Sequence, residues 1–275
     1  MNIVMRGVFL SRGFAMRIAM GVEYDGSGFR GWQRQSHDRN TIQQVVEEAL
    51  SRVANHPIEV FCAGRTDAGV HASGQVIHFD TEAVREMRAW MLGTTANLPK
   101  SVAVLWAKPV PEHFHARFSA QRRAYRYVIF SREVRPTFLA RRVSWHYQPL
   151  DLERMRAAAK PLLGEHDFSA YRAMACQAKS PVRTLHRLEL NRQGAFIFID
   201  IEANGFLHHM VRNIAGVLMA IGAGERPIEW SHEVLEGRNR ALGGVTAPPG
   251  GLYLTQVGYP AEFELPVLSP HAPVW

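Results

Sequence analysis

Apolar residues in this chain switch between a spacing of two and a spacing near 3.6 in a fixed order, and the order then recurs. Arg17 to Tyr24 reads as a strand, and Thr41 to Ala54 as an amphipathic helix capped by Asn40 or Thr41. Ile58 to Ala63 and Gly74 to Asp80 read as strands, Val84 to Leu92 as a helix, and Val102 to Ala107 as a strand. After a connection carrying Pro109, Pro111 and His113, the series returns. It runs through a strand at Tyr125 to Phe130, a helix at Leu152 to Leu163, strands at Val182 to Asn191 and Ala195 to Ala203, a helix at Phe206 to Ile221, and a strand at Leu252 to Val257. Each series is β-α-β-β-α-β, so the predicted fold class is α+β. Two split β-α-β lobes are expected, each with helices on one side of an antiparallel sheet. The expected division is a flexible extension over 1–15, a first lobe over 16–113 and a second over 114–275.

A chain of 275 residues with 47% hydrophobic content can bury the core that two such lobes need. No run of eighteen apolar residues exists, and the opening Met1 to Ala15 lacks the apolar centre of a signal peptide, so no membrane span is expected. Only Cys62 and Cys176 occur, without a Cys-x-x-Cys, which argues against a disulfide framework or a cysteine zinc site and favours a cytoplasmic location.

The densest polar cluster is Gly64–Ala72, between two strand-like runs. A carboxylate on a connection between strands, at Asp67, has the placement of a catalytic group on a rigid scaffold. The flanking glycines allow close backbone approach, and Arg65, two residues earlier, is placed to pair with Asp67 and hold it ionised as a nucleophile or base. The alternative is a tight turn whose aspartate caps its own backbone.

Lys and Arg total 32 against 25 Asp and Glu, a balance that favours a polyanionic partner. Arg117, Arg122, Arg123 and Arg126 lie within ten residues, interleaved with Phe114, Phe118, Tyr125 and Tyr127, as in a nucleic-acid groove; a solvated strand face is the competing reading. Gly26, Gly28 and Gly31 satisfy the G-x-G-x-x-G spacing of a dinucleotide site, but eight residues separate them from the next helical periodicity. A phosphate there would lack a helix N-terminus beneath it. The segment reads instead as a loop presenting Phe29, Trp32 and Arg34 to a partner, or as one whose aromatics seal the core. His208 and His209 fall in the first turns of the helix expected from Phe206. Adjacent helical residues diverge by about 100°, and no third ligand is placed, so no metal is expected. Arg212, following the small-residue turn Asn204-Gly205, has room beside it for an anion or another chain element.

Taken together, Tyr24–Gln33, Gly64–Ala72, Phe114–Phe118, Tyr125–Tyr127, His208–Asn213 and Gly251–Leu254 closely resemble the bacterial tRNA pseudouridine synthase A family, in family order from Met16 to about Pro260. The resemblance implies ferredoxin/RRM-like lobes whose sheets join into one extended sheet, with helices mainly on one side and a basic cleft between the lobes. It also implies a homodimer acting without cofactor on uridines 38, 39 and 40 of the transfer RNA anticodon stem-loop. Asp67 matches the family's catalytic aspartate and Arg65 its companion arginine. Tyr125 matches the tyrosine packed on the target base, and Arg212 and Leu252 match pocket positions. Such a reaction breaks the N1–C1′ bond, turns the uracil and rejoins it through C5. The residues leave open whether the carboxylate attacks C1′ or works through a glycal, and which group removes the C5 proton. The rival is a non-catalytic RNA-binding protein, for which a carboxylate in a basic cleft would only repel phosphate.

Overall fold

In the computed structural model, which describes residues 16–174 and 176–267, strand β1 (Met16–Tyr24) sends alternate side chains to opposite faces. Ile18, Met20 and Val22 enter the main core, whereas Ala19 enters a smaller one with Trp106 and Phe114. Helix α1 (Ile42–Ala54) presents Ile42, Val46, Leu50 and Ala54 to that main core, with the Thr41 hydroxyl accepting from the Gln44 amide at its start. Next come β2 (Phe61–Cys62), β3 (His71–Thr81), α2 (Met87–Asn97) and β4 (Val102–Pro109). The second half contains β5 (Arg122–Ser131), β6 (Ser144–His146), α3 (Leu152–Ala159), β7 (Gly164–Asp167), β8 (Val182–Gln193), β9 (Phe196–Ala203), α4 (Met210–Gly222), α5 (Trp230–Gly237) and β10 (Leu252–Gly258).

These strands form one ten-stranded sheet in the order β4-β1-β3-β10-β5-β9-β8-β7, with β2 on β3 and β6 on β5, making a mixed α+β fold. The quartet β4-β1-β3-β2 and the quartet β10-β5-β9-β8 repeat the same strand order. They meet where β10 pairs parallel to β3, Tyr253 opposite His71 and Leu254 opposite Ala72. Residues from all five helices share the main core with one face of the sheet, and two smaller clusters cover parts of the other. No helix among the described residues is long and apolar enough to cross a membrane. The extension expected over 1–15 lies outside the described residues.

Several boundaries differ from the periodicity, with β3 and β5 each starting three residues early and α2 ending five residues late. The strand expected from Ile58 shrinks to Phe61–Cys62 because α1 side chains take the preceding amides. Ile58 N–H donates to Ser51 Oγ at 2.9 Å and Val60 N–H to Glu47 Oε1 at 3.1 Å. Helix α2 begins three residues late. The helix expected from Phe206 begins only at Met210, because His209 adopts a left-handed conformation with φ of 63°. That last difference shapes the site.

Candidate active site

The segment between β2 and β3 carries Asp67 to the seam where the two strand quartets meet. Its backbone is held from below by the Gly26–Trp32 segment. Trp32 N–H donates to the Thr66 carbonyl at 2.9 Å, and the Tyr24 and Thr66 hydroxyls lie 2.8 Å apart. Phe29 and Trp32 are buried in the main core, and Trp32 also lines the cavity beside Asp67. Gly31 has φ of +95°, and a Cβ there would stand 2.9 Å from the Thr66 carbonyl oxygen. Gly31→Ala is therefore expected to destabilise the fold by about 1–3 kcal/mol and to displace Asp67. An unchanged urea midpoint with an unchanged rate would show that this segment does not position the loop.

Around Asp67 the structure gathers groups from α4 and the turn before it. Arg212 Nη1 donates to Asp67 Oδ2 at 3.1 Å, and its Nε donates to the Ala247 carbonyl at 2.8 Å. The arginine is mostly buried and fixed at two points, which suits it to orient a carboxylate. His208 Nε2 lies 3.3 Å from Oδ1, and His209 Nε2 lies 3.2 Å from Oδ2. These histidines precede the helix, so their side chains converge and do not diverge as on a helical turn. Burial holds the His209 imidazole below its ordinary range, against the opposing pull of Asp67; His208, Arg212 and Arg240 reinforce the lowering.

Arg65 is exposed and makes no ion pair with Asp67, so the partner expected from its proximity in sequence is replaced by Arg212, 145 residues away. Both nevertheless line one cavity of about 880 Å³, together with Tyr125 and Leu252. Its lining includes Arg30, Arg65, Arg117, Arg123, Arg183 and Arg212, against the carboxylates of Asp67 and Glu59. Such a space suits a nucleotide with part of its backbone. Tyr125 stands on β5 opposite Leu254 of β10, edge-on to Phe206 with ring centroids 5.1 Å apart. Burial pushes its phenol pKa up, which keeps the hydroxyl protonated near neutrality.

The four clustered arginines do not all line one cavity. Residues of β5 alternate between faces, so Arg123 and Tyr125 turn toward the cavity while Arg122 and Arg126 turn away. Arg126 is buried and bidentate to Asp200, with contacts of 2.7 and 2.8 Å. Arg122 pairs with Glu202 at 3.2 Å. Arg123 donates to the carbonyls of Ala63, Arg117, Ala120 and Asn204, bracing the strand that leads to the Asp67 loop. Arg34 pairs with Glu47 at 2.9 Å and lies outside the cavity lining, whereas its neighbour Arg30 is within it. Only Arg117 retains the expected character, exposed beside the Phe118 ring and lining the cavity. Arg117→Ala should lower the slope of log affinity for RNA against log salt by about one. An unchanged slope would place the RNA backbone elsewhere.

The sequence signals missed at the site are His208, His209, Phe206 and Arg183. Phe206, His208 and His209 reach the cavity from the turn before α4, whose left-handed residue at 209 no periodicity reports, and Arg183 reaches it from β8.

A family model described as tRNA pseudouridine synthase matches residues 20–119 and 158–260. The chain is 60% identical over 257 residues to tRNA pseudouridine synthase A of Pseudomonas aeruginosa, covering 93% of this chain and 90% of that protein. It is 61% identical over 260 residues to tRNA pseudouridine synthase A of Nitrosococcus oceani, covering 94% and 100%. The corresponding protein of Coxiella burnetii is 54% identical over 250 residues, covering 91% and 95%.

Proposed function

Because this chain belongs to the tRNA pseudouridine synthase family and isomerises uridine to pseudouridine in transfer RNA, we propose that Asp67 is the reacting carboxylate, acting on uridines 38, 39 and 40 of the anticodon arm. The observation that carries this reading is the carboxylate itself, fixed by Arg212 at 3.1 Å inside a cavity whose lining carries six arginines and three histidines against one other carboxylate, Glu59. A flipped uridine entering that cavity brings C1′ and C2′ toward Asp67. Flipping costs a few kcal/mol, and less in a loop or at a helix end. The uracil released from C1′ has to turn without escaping, which the buried ring of Tyr125 and the buried side chain of Leu252 favour by excluding water on two sides.

Arg212 orients the carboxylate, and Arg65 and Arg117 meet backbone phosphates at the mouth of the cavity. Phosphate and stacking contacts recognise the shape of an arm and not one base sequence, so several transfer RNAs are substrates. The two strand quartets are read as ferredoxin/RRM-like lobes over 16–113 and 114–275 with the basic cleft at their seam. The shared strand order and the two matched segments of the family model support that division. The working form is a cytoplasmic homodimer, as the resemblance implies. Exposed Val134 and Phe138 offer apolar surface for it, and a monomer mass in light scattering at micromolar protein would contradict it.

Tyr125 acts through its ring. Since its phenol stays protonated near neutrality, Tyr125→Phe should keep the single-turnover rate within about tenfold, and a far larger loss would assign proton transfer to the hydroxyl. The specificity is tested by mapping pseudouridine on bulk transfer RNA from cells with and without the gene. Loss of product at positions 38 to 40 in several transfer RNAs supports the reading. Loss in only one transfer RNA, or in another arm, rejects it.

A further inference from the structure

We propose that Asp67, His208 and His209 form an inhibitory binding site for a divalent transition-metal ion of the zinc type. The oxygens and nitrogens that such an ion would take lie within 4.8 Å of one another, a closeness that adjacent residues on a helix could not give. The left-handed turn at His209 instead brings both imidazoles to one carboxylate. A tetrahedral zinc with ligand bonds of about 2.0–2.1 Å has ligand-to-ligand edges of about 3.3–3.4 Å. His208 Nε2 stands 3.3 Å from Asp67 Oδ1 and His209 Nε2 3.2 Å from Oδ2, so each imidazole is an edge length from a different oxygen of the one carboxylate, and a small turn of the carboxyl group brings a single oxygen to both. Two imidazole nitrogens and one carboxylate oxygen are a ligand set that zinc, cobalt and copper take readily. Access is open, since His208, His209 and Asp67 are 41%, 27% and 28% exposed, and water completes the fourth position.

Binding requires only the proton-free nitrogens and the carboxylate. Inhibition rests on the reading of Asp67 as the reacting carboxylate, because an ion holding its oxygen lone pairs blocks attack at C1′ and abstraction at C2′ alike. Arg212 opposes the ion electrostatically, so affinity in the micromolar range is expected rather than that of a closed structural site. Cys62, which lines the same cavity, is a poor competitor because burial pushes its thiol pKa up to about 12, away from the thiolate that binds metal.

The test uses the full chain without RNA, titrated with Zn²⁺ by calorimetry and with Co²⁺ by visible absorption. One ion per chain is expected, with a tetrahedral cobalt spectrum lacking a sulfur charge-transfer band. The paired substitution His208→Ala with His209→Ala should weaken Zn²⁺ binding at least tenfold, while Cys62→Ser with Cys176→Ser should leave it unchanged. Pseudouridine formation, compared with each protein's own metal-free rate, should fall with Zn²⁺ in the wild type and recover with EDTA. No binding at submillimolar Zn²⁺, or binding that follows the cysteines, overturns the site and leaves the catalytic reading intact. Histidine-dependent binding with undiminished pseudouridine formation overturns the inhibition and counts against Asp67 as the reacting group. Where the paired histidine variant does not fold, the cobalt spectrum of the wild type decides between nitrogen–oxygen and sulfur ligation.

Discussion

Asp67→Asn is expected to lower the single-turnover rate of pseudouridine formation by about a thousandfold or more, with RNA affinity unchanged or slightly higher. The amide keeps the volume and planarity of the carboxylate and removes only its charge and basicity. Arg212 keeps its 2.8 Å bond to the Ala247 carbonyl, so the wall of the cavity should stand. Affinity should hold because one negative charge is removed from a cavity lined by six arginines, easing repulsion of phosphate. Ribonucleoside analysis of unmodified transfer RNA after a single turnover, alongside a binding titration, checks both halves. Near-normal product would remove Asp67 from the chemistry, and a parallel collapse of binding would make its role structural.

The largest stability effect is expected at Arg126. Its guanidinium donates to both carboxylate oxygens of Asp200 and lies over the Phe198 ring, 5.0 Å from the centroid, with both charged residues buried. Arg126→Ala leaves a buried carboxylate without its cation and should cost about 3–5 kcal/mol in urea unfolding. Combining Arg126→Met with Asp200→Leu should recover much of that loss, since the cost comes from an unpaired charge and not from the absence of a pair. The salt slope of RNA binding should be unaffected. A stable Arg126→Ala protein with a slope reduced by about one would instead put this side chain on the RNA.

The contrast between Arg126 and Arg117 marks where sequence stops being informative. Charge beside aromatics pointed to a basic region, but a strand divides its side chains between two faces, and partners distant in sequence decide which arginines are taken into ion pairs. Asp200, Glu202 and Glu47 claim Arg126, Arg122 and Arg34, and none of the three lies near its partner in sequence. The element order was legible because burial on one helix face imposes periodicity residue by residue. Asp67 stood out as a glycine-flanked carboxylate between two strand-like runs, and it lies in the cavity lining. Arg65 misled because closeness in sequence does not fix direction, and the cation facing Asp67 came from the start of α4. Helix α5 buries only Ser231, Val234 and Leu235, too few apolar positions to set a period. His208 and His209 were hidden by a single left-handed residue, a conformation that histidine adopts rarely and that only tertiary packing selects.

Isomerisation replaces the C5–H bond of uridine with a carbon–carbon bond to C1′, so the proton at C5 must leave for solvent in every productive turnover. The most direct measurement is therefore tritium release from transfer RNA transcripts carrying 5-tritiated uridine, with the purified chain and no added cofactor. Release is expected to rise to the number of target uridines in the anticodon arm, with none after Asp67→Asn. Retained tritium in the presence of folded, RNA-bound wild-type protein, or equal release by the Asp67→Asn variant, would contradict it.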